Sequence, residues 1–378
     1  MHRVVLTYSL APGGRDRGEL HHPLMELLAA IHREGSISAA ARGLQFSYRH
    51  VWGELKRWEG ELGQPLLVWA KGQPARLSPF GHKLLWAERQ AQARLAPQLA
   101  AMRGELERAF SMAFDDDCGV VEMFASHDEA LPLLRDWVHR HEKLHLDIRF
   151  TGSVDALAAL NDGRCMVAGF HALTHAPRHS PTARVYRPML RPGRHKLIGF
   201  ASRTQGLIIG AGNPLQIKTL HDLAKLGVRF VNRGRGTGTR VVLDELLAAA
   251  GLVPEAVQGY DRIEPSHRAV AQSVASGSAD AAFGIEAVAS AQGLAFIALA
   301  REEYFLATLA GNLEHPHVVV LRHALASAEW QAALRAVPGY VPRRSGEVLS
   351  LKEVLPWWNY RKRKSVAPTL GAHQKAKR

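Results

Sequence analysis

Cysteine is nearly missing from this 378-residue chain: Cys118 and Cys165 are the only two. They can build no disulfide framework and no zinc spacing, and they fit a reducing compartment. No apolar run approaches the ~18 residues of a membrane span. The opening MHRVVLTYSLAPGGRDRG has neither the apolar core nor the cleavage site of a secretory signal. A cytoplasmic protein without a membrane partner is therefore expected. The chain contains no GxxxxGK[ST], GxGxxG or nucleophile elbow, and no evident paired catalytic carboxylates, so no enzymatic activity and no cofactor are expected.

Acids are missing from the C-terminal stretch. Residues 361–378 hold seven Lys/Arg and no Asp or Glu, over half of the formal charge of +13. A pI near 10.0 suits a polyanionic partner, but the body of the chain is only mildly basic. The tail is compatible with salt-sensitive phosphate binding or with simple solvation. What is abundant is apolar residues, 47% of the chain, enough at this length for two or three packed domains.

Five segments are expected. Residues 1–20 read as a flexible arm, 21–80 as an all-α winged helix-turn-helix domain, and 81–114 as a linker and dimerisation helix. Residues 118–358 read as a two-lobe α/β domain and 361–378 as a basic tail. In the first domain, Leu24, Leu27, Leu28 and Ile31 recur at helical spacing, and Gly35 ends that helix. Ser36 can cap a second helix over 37–43, and Ser47 a third running to about Glu61. Val51, Trp52, Leu55, Trp58 and Leu62 would be its buried stripe, leaving Ser47, Arg49, His50 and Lys56 open. Polar residues on the first turn of the second helix of such a pair suit base reading in the major groove. Ser36, Ser47, Tyr48, Arg49, His50 and Lys56 are accordingly the candidate DNA contacts, joined by Lys71 and Arg76 on a hairpin wing. Ser78-Pro79 opens the long helix. Leu84, Leu85, Leu95, Leu99, Met102, Leu106 and Phe110 lie along one side of it, and Pro97 should kink it.

From Cys118 onward strands alternate with helices, which argues for mainly parallel sheets. Strands are expected at 120–125, 146–150, 165–170, 196–201, 206–210, 228–231, 280–285 and 295–300. Three turns share a design of strand, small hydroxyl or glycine residues, then helix start. They are Ala125-Ser126-His127-Asp128, Thr151-Gly152-Ser153 and the loop 232–240, NRGRGTGTR. Free N–H groups and the positive dipole end make such helix starts anion sites, and three of them would meet in one crevice. Candidate ligand contacts are Ser126, His127, Ser153, Arg235, Thr237, Gly238, Thr239 and His267, the last at a further helix start in Pro265-Ser266-His267. Arg233 and Arg240 could neutralise a ligand or ring the mouth. His139, His141, His145, His171, His175 and His179 read as surface or pocket-edge residues, with no metal site. Trp357 and Trp358 should pin the last segment to the core.

Residues 22–110, through GSISAAA, SYRHVW and LSPFGHKLL, resemble the winged-helix domain of ModE-type, molybdate-responsive regulators and are similar to the related LysR-type domain. The resemblance implies a dimer that reads double-stranded DNA with the helix starting at Ser47. Residues 118–358, through ASHDEALPLL, TGSVDALAAL, FVNRGRGTGTRVVLDELL and LPWW, resemble periplasmic-binding-protein-like domains, in plan those that bind molybdate and tungstate. That implies a small anionic effector, molybdate or tungstate, held between the lobes by Ser126, Ser153 and the amides around Thr237, Gly238 and Thr239. The small molybdate modules of the best-known regulators do not occur here. The expected protein is an anion-responsive transcription regulator; the alternatives are an oxyanion store without regulation and a sensor of an organic acid.

Overall fold

The computed structural model describes residues 4, 6, 22–69, 73–114, 118–173, 179–225 and 227–358. The expected wing contact Lys71, almost all of the N-terminal arm and the whole basic tail lie outside the described residues.

The first domain is three helices and a two-stranded ribbon. Helix α1 (Pro23–Glu34) stops where Gly35 turns left-handed and returns its N–H to the Ile31 carbonyl. Helix α2 (Ile37–Gly43) is capped by the Ser36 hydroxyl, which accepts from the Ala39 N–H at 3.1 Å. Helix α3 (Tyr48–Leu62) is capped by Ser47, which accepts from His50 N–H at 3.1 Å. Leu24, Leu28, Ile31, Ile37, Ala40, Val51 and Leu55 form their shared core. Trp52, Trp58 and Leu62 are only partly buried against it. Strands β1 (Leu67–Val68) and β2 (Arg76–Leu77) pair antiparallel, each one residue shorter at its start than expected.

Helix α4 (Pro79–Phe114) runs unbroken through Pro97. Ser78 accepts from Gly81 N–H and donates to the Pro65 carbonyl, tying its start to the winged domain. Its expected apolar side divides. Leu85 is buried in the winged domain, whereas Leu95, Met102 and Leu106 are exposed and the small residues Ala93, Ala96 and Ala100 are buried. Small side chains allow the helix to lie close against the rest of the chain.

The remainder is one sheet with helices on both faces. Its elements are β3 (Gly119–Ala125), α5 (Ala130–Glu142), β4 (Leu144–Phe150), α6 (Ser153–Asn161), β5 (Val167–Ala172), α7 (Pro181–Tyr186) and β6 (His195–Ile209). They continue with β7 (Phe230–Arg233), α8 (Gly238–Ala249), β8 (Ile263–Glu264), α9 (His267–Ala275), β9 (Ala281–Ile285), α10 (Glu286–Ala291) and β10 (Ala295–Leu309). The chain closes with α11 (Pro316–Ala326), α12 (Ala328–Arg335), β11 (Tyr340–Pro342), β12 (Val348–Leu349) and α13 (Leu351–Val354). The strand order is β4-β3-β5-β10-β6-β9-β7-β8, with β11 and β12 on β6.

The sheet is mixed rather than mainly parallel. Strand β3 is parallel to β4 and β5, making the first lobe, and β7 is parallel to β8 and β9, making the second. The long antiparallel pair β6 and β10 joins them. Strand β6 meets β11 and β12 over its first half and β9 over its second, so it crosses from lobe to lobe. The expectation of two strands at 196–201 and 206–210 fails because the polar stretch Ser202-Arg203-Thr204-Gln205 is this crossing, not a loop. The strand expected to stop at 300 continues to Leu309 for the same reason. Trp357 and Trp358 do seat the last segment, packed with Leu157, Leu160 and Phe170.

Candidate functional site

Two polar surfaces stand out. On the first domain, Tyr48, Arg49 and His50 are exposed at the start of α3. Tyr48 stacks on Trp52, and His50 lies against Phe46. Among the described residues no carboxylate pairs with Arg49 or Arg76, and both are exposed. Lys56 is more committed than expected. It pairs with Glu59 at 2.7 Å and lies over the rings of Trp52 and Trp69. Ser36 and Ser47 spend their hydroxyls as helix caps, so any further contact from them uses the remaining donor capacity. The helix thus offers an open first turn and a second turn bound up in its own ion pairs.

The second surface is the crevice between the lobes, and the three expected turns meet there. A Cβ at Gly152 would lie 3.1 Å from the Gly236 carbonyl oxygen across the gap. A Cβ at Gly238 would lie 3.2 Å from Ser153 Oγ and 3.3 Å from Tyr186 OH. A side chain at either position would press on the facing loop, which would have to give by a few tenths of an ångström. The lobes are also clasped at the rim by Arg268 on Glu129 at 2.9 Å and by Glu245, which accepts from the Thr182 hydroxyl.

Inside, the side chains are buried and incompletely satisfied. Ser126 Oγ is 2.9 Å from His171 Nδ1. Ser153 and Tyr186 bring their hydroxyls together, and neither completes a hydrogen bond of normal geometry. Thr239 Oγ1 is 3.4 Å from His267 Nε2. His127 and His267 each leave Nδ1 without a partner. Buried polar atoms are normally paired, so such a concentration of open ones marks a place built to receive something polar.

Charge in the crevice is held by two guanidiniums. Arg203, on the strand crossing, bonds Asp128 and, at 2.5 Å, Glu302, and keeps Nη2 open. Tyr340 donates to the same Asp128 at 2.6 Å. Burial pushes the Asp128 carboxyl up, but Arg203, His171 and Tyr340 outweigh it and hold it well below the ordinary carboxylate range. Arg233, at the end of β7, is also buried. It donates to the Glu264 carbonyl at 3.0 Å, leaves Nε open, and meets no carboxylate among the described residues. Burial, aided by the charge of Arg203, pulls it down to about 9. His127, His171 and His267 are all held below the ordinary imidazole value, first by burial and then by these arginines. The imidazoles are therefore neutral near pH 7, and the positive charge of the crevice belongs to arginine.

Of the expected ligand contacts, Ser126, His127, Ser153, Gly238, Thr239 and His267 converge. Two do not. Arg235 is exposed and faces Asp261 at 3.3 Å. Thr237 caps α8: its hydroxyl accepts from Arg240 N–H and donates to the Gly234 carbonyl, so it is occupied. Arg240 stacks on Tyr260 and bonds the Arg233 carbonyl, a scaffold role. His171 corrects the surface reading of the histidines, since it is buried at the crevice centre. His145 is likewise buried, in β4. Residues 141–145 read HEKLH, the spacing of a helical zinc pair, but α5 ends at Glu142 and Lys143 turns left-handed. His141 instead bonds the Trp137 carbonyl. Among the described residues no cluster suited to a metal ion occurs.

Residues 135–326 match the family described as PBP superfamily domain. Residues 23–82 match the bacterial regulatory helix-turn-helix protein, lysR family. An uncharacterised protein of Bacillus subtilis, YvgK, is 32% identical over 201 residues, covering 53% of this chain. The chain spans 64% of that relative's length. Molybdenum-pterin-binding protein MopB of Rhodobacter capsulatus is 38% identical over 84 residues, 21% of this chain and 31% of MopB. Among solved structures, a hydrogen-peroxide-bound OxyR variant of Corynebacterium glutamicum aligns over 85% of this chain and 98% of its own, at 18% identity and a TM-score of 0.42.

Proposed function

We infer that this chain, which belongs to the PBP superfamily and carries a lysR-family helix-turn-helix domain, is a DNA-binding transcription regulator whose two-lobe domain senses a small anion. The observation that carries the anion is Arg233. A guanidinium buried without a carboxylate is costly, and a ligand's negative charge is the compensation that would stabilise it. Around it the hydroxyls of Ser126, Ser153 and Thr239, the Gly238 N–H and the open Nη2 of Arg203 supply neutral and charged donors. This donor set suits a tetrahedral dianion, and molybdate or tungstate is the favoured identity. The likeness to MopB, whose name records molybdenum-pterin binding, supports that choice. A second reading is a small organic acid, favoured by two fixed arginines that match carboxylate geometry. The DNA partner is read by the first turn of α3, and a dimer would place two such turns on successive half-sites.

The test has two arms. A thermal-shift panel of molybdate, tungstate, sulfate, phosphate and small carboxylates should raise stability for one class only, by about 2.7 kcal/mol at one hundred times the dissociation constant. A shift with carboxylates alone would replace the oxyanion by an organic acid. Gel shifts at fixed salt should show sequence preference that Arg49→Ala with His50→Ala removes. Tight anion binding together with DNA behaviour indifferent to ligand would instead describe a store.

A further inference from the structure

The linker helix carries an unusual contact. A proline inside a helix removes the N–H that would serve the carbonyl four residues earlier. Pro97 therefore deprives the Ala93 carbonyl of its helical donor. The missing donor is supplied from the second lobe: Ser266 Oγ donates to Ala93 O at 2.8 Å in a buried contact. The same hydroxyl caps α9 by accepting from Ala269 N–H at 3.0 Å. The next residue, His267, lines the crevice. One turn of α4 is thus joined to one crevice wall at the carbonyl that Pro97 leaves without a helical donor.

Two more contacts reinforce it. Arg94 grips Glu264 with both ends of its guanidinium, at 2.9 and 2.7 Å, and Gln90 reaches Glu264 and Ser273 at 3.3 and 3.4 Å. Glu264 is the residue whose carbonyl holds Arg233. Beyond Pro97 the partners change lobe. Glu107 lies 3.7 Å from Arg135, and Arg103 lies 4.0 Å from Asp136, both partners on α5 of the first lobe. At Gly104 a Cβ would already stand 4.0 Å from the Arg135 guanidinium.

We propose that α4 is a strap that reads lobe closure. Its turns before Pro97 are latched to the second lobe through Ser266 and Glu264, and its turns after Pro97 to the first lobe through Arg135 and Asp136. Movement of the lobes about the crevice must then bend or release α4 at Pro97, the one place where its own hydrogen-bond ladder is broken. Because α4 is continuous with the winged domain, this changes how that domain is aimed. Ser266 is a positioning residue in this scheme. The inference rests on the reading of the crevice as the effector site.

Amide hydrogen exchange on the full chain tests it, with sodium molybdate as the probe and calorimetry as the independent record of binding. In the native sequence molybdate should slow exchange in residues 90–107 at least threefold. Arg94→Ala and Pro97→Ala should still bind molybdate, with affinity within about threefold of the native sequence, but lose that response. A response that persists in both variants overturns the strap. If molybdate does not bind, the oxyanion identity fails, and the strap is judged without ligand. Arg268→Ala, which opens the rim clasp, should then speed exchange at 90–97 in the native background at least threefold and leave it unchanged in the Pro97→Ala background. Equal behaviour in the two backgrounds overturns the strap.

Discussion

Arg233 lies at the C-terminal end of β7 with its guanidinium buried and, among the described residues, only a backbone carbonyl as partner. Replacing a buried unpaired charge relieves desolvation, whereas removing one partner of a formed pair costs several kcal/mol. Arg233→Gln should therefore leave the ligand-free protein as stable as before, or more so, while weakening anion binding at least tenfold, about 1.4 kcal/mol. Melting temperatures with and without molybdate check both halves. A variant that lost stability and kept its ligand shift would make Arg233 structural. From sequence, Arg235 of the loop 232–240 is the expected ligand contact, with Arg233 and Arg240 either neutralising a ligand or ringing the mouth. Their surroundings separate them: Arg235 faces solvent and Asp261, Arg240 is buried but stacked on Tyr260, and Arg233 is buried where its charge acts on His127 and His267.

Helices and caps were the most legible elements, because their signals are local. As caps and stops, Ser36, Ser47, Gly35 and Ser78 each bond a backbone group within three or four residues, as their chemistry dictates. The long strands were illegible for the opposite reason. Arg203, Gln205 and Glu302 interrupt apolar runs, and only their bonds to Asp128, to one another and to lobe-crossing neighbours make them buried strand positions. Helix α4 shows both cases. Its apolar residues were evident, but their division between a buried small-residue stripe and an exposed Leu95, Met102 and Leu106 needed the packed domain. An exposed stripe on a helix of this length suits a second copy of the chain. Leu95→Glu with Met102→Glu should shift light scattering from dimer to monomer and lower DNA affinity at least tenfold, without changing the far-UV spectrum. A double variant that remained dimeric would place the dimer contact elsewhere.

At the scale of the molecule, six histidines among the described residues are held below their ordinary value, each first by burial: His32, His127, His145, His171, His195 and His267. In the unfolded chain they titrate near 6.5. The unfolded state thus binds more protons below that pH, so stability is intact above about 6.5 and falls as the pH drops from there toward the folded values. The protein should melt at a lower temperature at pH 5.5 than at pH 7.5 in low salt, and an anion in the crevice should offset part of the loss. Asp128 does not contribute in this window, since its carboxyl is depressed and its stabilisation is lost only at far lower pH. An equal melting temperature at the two values would mean that these imidazoles are hydrated in solution.

The sequence by itself determined the two-part plan, the capped helices of the winged domain and the three hydroxyl-bearing turns, since spacing and capping act over a few residues. Tertiary structure decided which side chains share the crevice. His171, Tyr186, Arg203 and Glu302 reach it from strands and a helix far apart in the chain. It also decided that the Ala93 carbonyl, left without a helical donor by Pro97, becomes the acceptor for Ser266. A broken helical bond is local, but the donor that repairs it stands 173 residues away, and no periodicity in the chain connects the two.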